Sequence, residues 1–222
     1  MFSNFGNSAS RESTISDSVF KVIIIGDHDV GKSSILTRYL EDSFKDEKVR
    51  TYGVDFKKKD LIVQGSKMTF NIWDTAGHED YRMITANFLR GSAGILLVFD
   101  LSKSNFFESL RTWMEIIKEY SDENSIIFLI GNKQDLLEKE EDGKRHQEEI
   151  ERFMIGSDIE AFYRVSAKEN IKVTESFEHL AEEIYKEFKE KTRFGAPVAS
   201  VLSRKSYEES GANRDKKKKR CC

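Results

Sequence analysis

Four consecutive apolar residues, Val22-Ile23-Ile24-Ile25, stop at Gly26, and apolar positions resume at Ile35, Leu36, Tyr39 and Leu40. The unbroken run suits a strand buried on both faces, and the spacing that follows it suits one side of a helix. Further on, Leu61 and Val63 alternate with polar neighbours and Gln64-Gly65-Ser66-Lys67 offers a turn. Met68, Phe70 and Ile72 then alternate back, which predicts a hairpin. Buried strands are expected at 93–100, 125–130 and 161–165. Helices are expected near 105–120 (Leu110, Trp113, Met114 and Ile117 along one side), in a short stretch at 148–155, and at 173–191. The last carries Val173, Phe177, Leu180, Ile184 and Phe188 in one stripe. Residues 136–149 read as a charged connection. Strands alternating with helices predict a three-layer α/β domain whose sheet is mainly parallel, with one antiparallel edge strand. Ligands of such sheets bind at the carboxyl ends of the strands.

The chemistry collects at those ends. After the first strand come Gly26, Asp27, His28, Asp29, Val30, Gly31, Lys32, Ser33 and Ser34, with the glycine, lysine and serine spacing of a phosphate-binding loop. Gly31 lets the backbone close around a phosphate, and the N-terminus of the following helix adds partial positive charge. Lys32 supplies a cation for the β- and γ-phosphates, and Ser33 a hydroxyl for magnesium. Three further segments follow strands: Trp73-Asp74-Thr75-Ala76-Gly77-His78, Asn132-Lys133-Gln134-Asp135 and Ser166-Ala167-Lys168. Taken singly each has a plainer reading, since Asn and Asp are turn residues and Thr51 suits an ordinary strand.

Composition narrows the class. With 222 residues, 38% hydrophobic and 34% charged, the chain suits one soluble domain with tails. The first nineteen residues are polar and lack the apolar middle of a signal peptide, so a flexible extension is expected at 1–19. Residues 211–222 carry six Lys/Arg and one Asp, a local net of +5 that leaves −8 upstream of a total of −3. That balance argues against a nucleic-acid-binding core. The only cysteines are Cys221 and Cys222, which leaves no disulfide framework and fits a reducing compartment.

The ordered set GDHDVGKS, TYGVDF, WDTAGHE, NKQD and SAK resembles a small GTPase of the Ras superfamily, and most of all the Rab family. The resemblance spans about residues 20–190 and the final two cysteines. It implies a P-loop G domain at 20–191, with GTP or GDP and Mg2+ as ligands and GTP hydrolysis as the activity. By position, Asn132 and Asp135 match the guanine-reading pair, because a carboxylate accepts from two N–H donors that adenine does not present together. Lys133 is expected along the base, Ser166, Ala167 and Lys168 on its other side, and Phe44 packed against it. Ser33, Thr51 and Asp74 match the magnesium site and Gly77 the backbone sensor of the γ-phosphate. Catalysis is assigned to Lys32 and to the position held by His78. Phe56, Trp73 and Phe88 match three aromatics grouped at the Rab effector surface, although a packing role is open to them as well.

Two positions depart from the family. His78 stands where glutamine usually orients the attacking water, and imidazole offers a different reach and at most one acceptor when neutral. Slow intrinsic hydrolysis is expected unless a partner supplies the missing group; with no useful catalysis, the chain becomes a GTP-bound interaction module. His28 and Asp29 replace a small residue and a glycine. A carboxylate there either repels the phosphates and hastens release or points outward into solvent. Tyr52, where isoleucine is usual, bears on partner choice. A kinase or ATPase of the same loop class is disfavoured by NKQD.

Residues 192–222 read as a flexible tail with the chain's only proline, Pro197, and a basic run up to Cys221 and Cys222. In Rab proteins such cysteines are geranylgeranylated, and two chains or one chain plus a basic patch give stable attachment. The resemblance therefore implies the cytoplasmic face of an intracellular membrane, with cycling through the cytosol. It also implies a monomer whose partners are an exchange factor, a GTPase-activating protein, effectors, and escort and GDP-dissociation-inhibitor-type proteins.

Overall fold

In the computed structural model the apolar run Val22-Ile23-Ile24-Ile25 forms the end of β1 (Ser18–Ile25), which pairs in parallel with a strand on each side. The structure describes residues 18–46, 51, 53–77, 82–137 and 140–193. The expected extension at 1–19 and tail at 192–222 overrun the fold by two residues each, since Ser18 and Val19 belong to β1 and Thr192 and Arg193 to the last helix; the rest of both, Tyr52 and His78 lie outside the described residues.

Six strands make one sheet in the order β2 (Val54–Val63), β3 (Ser66–Thr75), β1, β4 (Gly94–Asp100), β5 (Ile126–Asn132) and β6 (Ile159–Arg164). Only β2, at one edge, runs antiparallel to its neighbour; the other four pairings are parallel. Alternate residues of the central strands enter two separate cores. Val22, Ile24, Val98 and Phe128 pack under α1 (Lys32–Glu41) and α5 (Val173–Arg193). Ile23, Ile25, Leu97 and Leu129 pack under α2 (Arg82–Leu89) and α3 (Phe106–Tyr120). A strand segment buried on both faces has no place for a polar residue, which is why the second half of β1, Val22–Ile25, and β4 from Gly94 to Phe99 read as unbroken apolar runs. The three-layer α/β arrangement is the one expected.

Three elements differ from expectation. The hairpin turn contracts to Gln64-Gly65, so that Ser66 already pairs with Val63, and β2 reaches back to Val54. The eight-residue α2 had no strong signal: it is short, and Thr85 shares its buried side with Ala86 and Leu89. The third is α4 (Glu140–Met154), fifteen residues where 148–155 was expected. Its inward positions include Gly143, His146 and Ile150, a helical spacing with one ordinary apolar member. A Cβ at Gly143 would lie 2.5 Å from Arg164 Nη2. The His146 ring stands edge-on to Phe106 at 5.2 Å.

Candidate nucleotide-binding site

Between β1 and α1 the chain wraps around the Lys32 side chain, which is only 6% exposed. Its Nζ donates to the carbonyls of Gly26 (3.0 Å) and Asp27 (2.7 Å). Gly31 sits at φ +95 and caps α1 without a side-chain acceptor, so the first helical N–H groups face the loop. A Cβ at Gly31 would lie 2.3 Å from Asn132 Nδ2, so only glycine fits. Burial pushes the Lys32 ammonium down to about 8, against the pull of Asp74, Asp27 and Asp29. This is a cation short of negative charge, at a place where backbone donors converge. An anion answers both needs.

Beside it, three oxygens from distant parts of the chain meet. Ser33 Oγ donates to Asp74 Oδ2 and lies 2.8 Å from Thr51 Oγ1. Ser33 has one proton and gives it to the carboxylate, so Thr51 donates to Ser33. Asp74 Oδ1 is buried with no partner among the described residues, and burial raises its carboxyl above the usual range despite the Ser33 bond and Lys32. Hydroxyls plus a buried, under-satisfied carboxylate are the donor chemistry that a small hard cation takes. Gly77 completes this corner. A Cβ there would come within 2.3 Å of both Asp27 O and Lys32 Nζ, so its backbone can approach the loop only as glycine.

The ends of β5 and β6 form the other side. Asn132, 2% exposed, donates to Val30 O at 2.8 Å and accepts from Ala167 N at 3.2 Å. Its amide thus ties the phosphate-binding loop to the 166–168 turn. Ser166 Oγ donates to Asp135 Oδ1 at 2.6 Å and accepts from Glu169 N at 3.0 Å. Lys133 takes a left-handed φ of 64, and its Nζ lies 2.7 Å from Asp100 Oδ2. Lys168 is exposed, and Phe44 lies half-buried against the core under α1.

Most of the residues expected to bind nucleotide come together through these contacts; Phe44 packs against the core under α1, and two further residues carry a qualification on side-chain direction. The Asp27 carboxylate faces α3, while its backbone carbonyl meets Lys32. Asp29 stands on the rim at φ 59, its carboxylate half-exposed and 3.6 Å from His28 Nδ1. Asp100 and Arg38 belong to this side of the site and were not anticipated. The signal for Asp100 was a lone carboxylate ending a strand that is otherwise apolar and buried.

A family model described as the Ras family matches residues 21–186. The chain belongs to the Ras family. Among curated relatives, human Ras-related protein Rab-3D is 39% identical over 78% of each chain. Human Rab-3A is 36% identical over 89% of this chain and 88% of its own. The Ras-related protein YPTC6 of Chlamydomonas reinhardtii is 38% identical over 76% of each. The chain is thus a small GTPase of the Rab type. Its relatives are guanine-nucleotide-binding GTP hydrolases that act in trafficking through regulators and effectors.

In this GTPase Phe56, Trp73 and Phe88 form a cluster, and Trp73 and Phe88 also pack, partly buried, against the core under α2 and α3. Phe56 of β2 lies 5.0 Å from Trp73 of β3, and Trp73 lies 5.4 Å from Phe88 of α2, centroid to centroid. Lys21 of β1 underlies the cluster, its Nζ 5.8 Å from the Trp73 ring and 5.9 Å from Phe88, and it donates to Arg90 O at 2.9 Å. Among the described residues no helix is long and apolar enough to cross a membrane.

Proposed function

We propose that the chain is a Rab-type membrane-trafficking switch that holds GTP or GDP together with Mg2+ and hydrolyses GTP slowly. The meeting of Ser33, Thr51 and Asp74 beside the buried Lys32 carries the reading. These residues come from the loop, from the segment before β2 and from the end of β3. A ligand bridging them would order the two flanking segments at once. Asp135, Asn132 and the 166–168 turn read guanine, Lys133 lies along the base, and Phe44 packs on it. When bound, Mg2+ would neutralise charge on the β- and γ-phosphate oxygens. Lys32 holds its proton against those oxygens, the γ-phosphate would keep Thr51 in its inward position beside Ser33, and the Gly77 N–H senses the same group. Loss of that phosphate releases Thr51 and Gly77 together.

His78 stands at the position that orients the attacking water, and its shorter, single-acceptor ring supports a low intrinsic rate. In this reading the G domain runs from β1 through α5, preceded by a polar N-terminal extension and followed by a basic tail that ends in geranylgeranylated Cys221 and Cys222. The basic run beside those cysteines assists attachment to the cytoplasmic face of an intracellular membrane. The monomer cycles through the cytosol with escort and GDP-dissociation-inhibitor-type proteins. It meets an exchange factor, an activating protein, and effectors that dock on Phe56, Trp73 and Phe88; it binds no nucleic acid.

The test is to denature the purified full chain, identify the nucleotide released, and follow single-turnover hydrolysis of added GTP. Retained GTP and slow turnover are expected; rapid unassisted turnover would remove the slow-hydrolysis reading. His78 also favours a second reading, a GTP-bound interaction module with almost no hydrolysis. Failure of an activating protein to stimulate turnover would select it.

A further inference from the structure

The base side of the site is held from outside by a residue that belongs to none of the nucleotide motifs. Arg38 lies on α1 and its side chain is only 12% exposed. Its guanidinium donates from Nε to Ala167 O (2.9 Å) and from Nη2 to Lys168 O (3.0 Å). The remaining branch, Nη1, donates to Asp42 O (2.8 Å) and Asp42 Oδ1 (3.1 Å), which fixes the plane of the fork. Asp42 Oδ1 also accepts from Asn170 Nδ2 at 2.9 Å, so the far end of the same turn returns to α1.

Peptide planarity converts these outward contacts into an inward orientation. A trans peptide points its C=O and its N–H in opposite directions. Holding Ala167 O against Arg38 therefore turns the Lys168 N–H away from α1, toward the face where the base is read. Holding Lys168 O likewise turns the Glu169 N–H away, and that N–H donates to Ser166 Oγ. Ser166 Oγ in turn donates to Asp135 Oδ1. An unbroken chain of hydrogen bonds and rigid peptide planes thus runs from Arg38 to the carboxylate that distinguishes guanine.

We propose that Arg38 is a positioning residue that fixes the 166–168 turn and the rotamer of Asp135, and so sets both the lifetime of bound guanine nucleotide and its selectivity for the base. The assignment rests on the nucleotide-binding reading above and extends it to a residue outside the motifs. Arg38 is six residues after Lys32, about 9 Å along the helix. One rigid element therefore carries the phosphate-binding cation and the clamp on the base turn. Lysine cannot substitute, because an ammonium is a point charge without the planar fork needed to span two carbonyls and Asp42.

The experiment measures release of fluorescent GDP and of the hypoxanthine analogue IDP, which lacks the exocyclic amino group that Asp135 reads. The proteins are the full chain and its R38K and R38M variants, with Mg2+ present and after chelation. Each variant is expected to release GDP faster, on the order of tenfold for the loss of charged hydrogen bonds. The ratio of IDP to GDP release rates should fall toward one. Chelation should accelerate release by the same factor in variant and parent, because the phosphate side is untouched. R38K retains charge and length, so it carries the test if R38M does not fold. An unchanged GDP rate in R38K, or faster release with the IDP/GDP ratio preserved, would overturn the Arg38 assignment alone. A parent chain that binds neither nucleotide would overturn the site reading and the assignment with it.

Discussion

The indole Nε1 of Trp113 donates to Asp27 Oδ1 at 2.9 Å across the gap between α3 and the phosphate-binding loop. Ser109 Oγ, one turn earlier on α3, donates to the other carboxylate oxygen. The second residue of the loop is thereby fixed by its side chain to a helix, which leaves its backbone carbonyl turned toward Lys32. Trp113→Phe keeps most of the buried ring and removes one charged-acceptor hydrogen bond, so it should cost about 1.5–3 kcal/mol of stability. The check is urea unfolding in excess GDP, with release of GDP measured on the same protein. An unchanged midpoint and an unchanged release rate would mean that this contact does not brace the loop.

Asp100 performs a similar service on the base side. Burial opposes its ionisation, but hydrogen bonds from Lys133 and Ser102 outweigh burial and hold the carboxyl below its usual value. A carboxyl depressed in the folded state adds stability that is present above its unfolded pKa of about 3.9 and is lost as pH falls through the lower folded value. Asp100→Asn should therefore flatten the acid limb of stability below about pH 4 while leaving a deficit at neutral pH. It should also free Lys133 from its 2.7 Å contact and speed GDP release. Acid unfolding curves of parent and variant decide it, and superimposable curves would refute it.

Residues that act through backbone geometry or through contiguous motifs are legible in the sequence. Gly31, Lys32, Ser33, Asn132 and Asp135 sit at fixed spacings right after apolar strands, and the parallel sheet must bring those strand ends together. Arg38, Asp100 and Trp113 were not legible as site residues. Their partners lie 129, 33 and 86 positions away in the chain, and each looks ordinary in its own segment. Likewise α4 hid its first half because its described inward positions there are Gly143 and His146 rather than aliphatic residues. A periodic pattern reveals burial only where burial is apolar.

Lys32 links the phosphate-binding loop to pH. Burial pushes its ammonium down to about 8, against the pull of Asp74, Asp27 and Asp29. A lysine depressed in the folded protein is penalised while charged, and the penalty lifts as pH rises through that value. A polyphosphate in the loop reverses the preference, because the charged form gains a partner. Binding of GDP to the nucleotide-free protein should therefore take up a fraction of a proton, with uptake largest near pH 8 to 9 and small at pH 6.5. Calorimetry in buffers of differing ionisation enthalpy measures it, and buffer-independent heats at pH 8.5 would rule it out.

Asp29 stands on the rim of the same loop, half-exposed and at φ 59, with its carboxylate 3.6 Å from His28 Nδ1. A left-handed backbone costs an L-residue roughly 1–2 kcal/mol, less for aspartate than for most and nothing for glycine. The carboxylate lies close enough to favour charge on Lys32 in the nucleotide-free protein. Once phosphate occupies the loop, Lys32 has its own partner and the remaining effect of Asp29 is repulsion, weakened by solvent at the rim. Asp29→Gly removes both the strain and the repulsion. It should raise thermal stability slightly and slow GDP release a few-fold, about the factor expected from 1 kcal/mol or less of screened charge interaction. The slowing should shrink as salt is raised from 50 to 500 mM, because the screening length falls from about 14 Å to about 4 Å over that range. A release rate unchanged at low salt would mean that the rim carboxylate is too well solvated to matter. A salt-independent slowing would assign the effect to backbone strain instead.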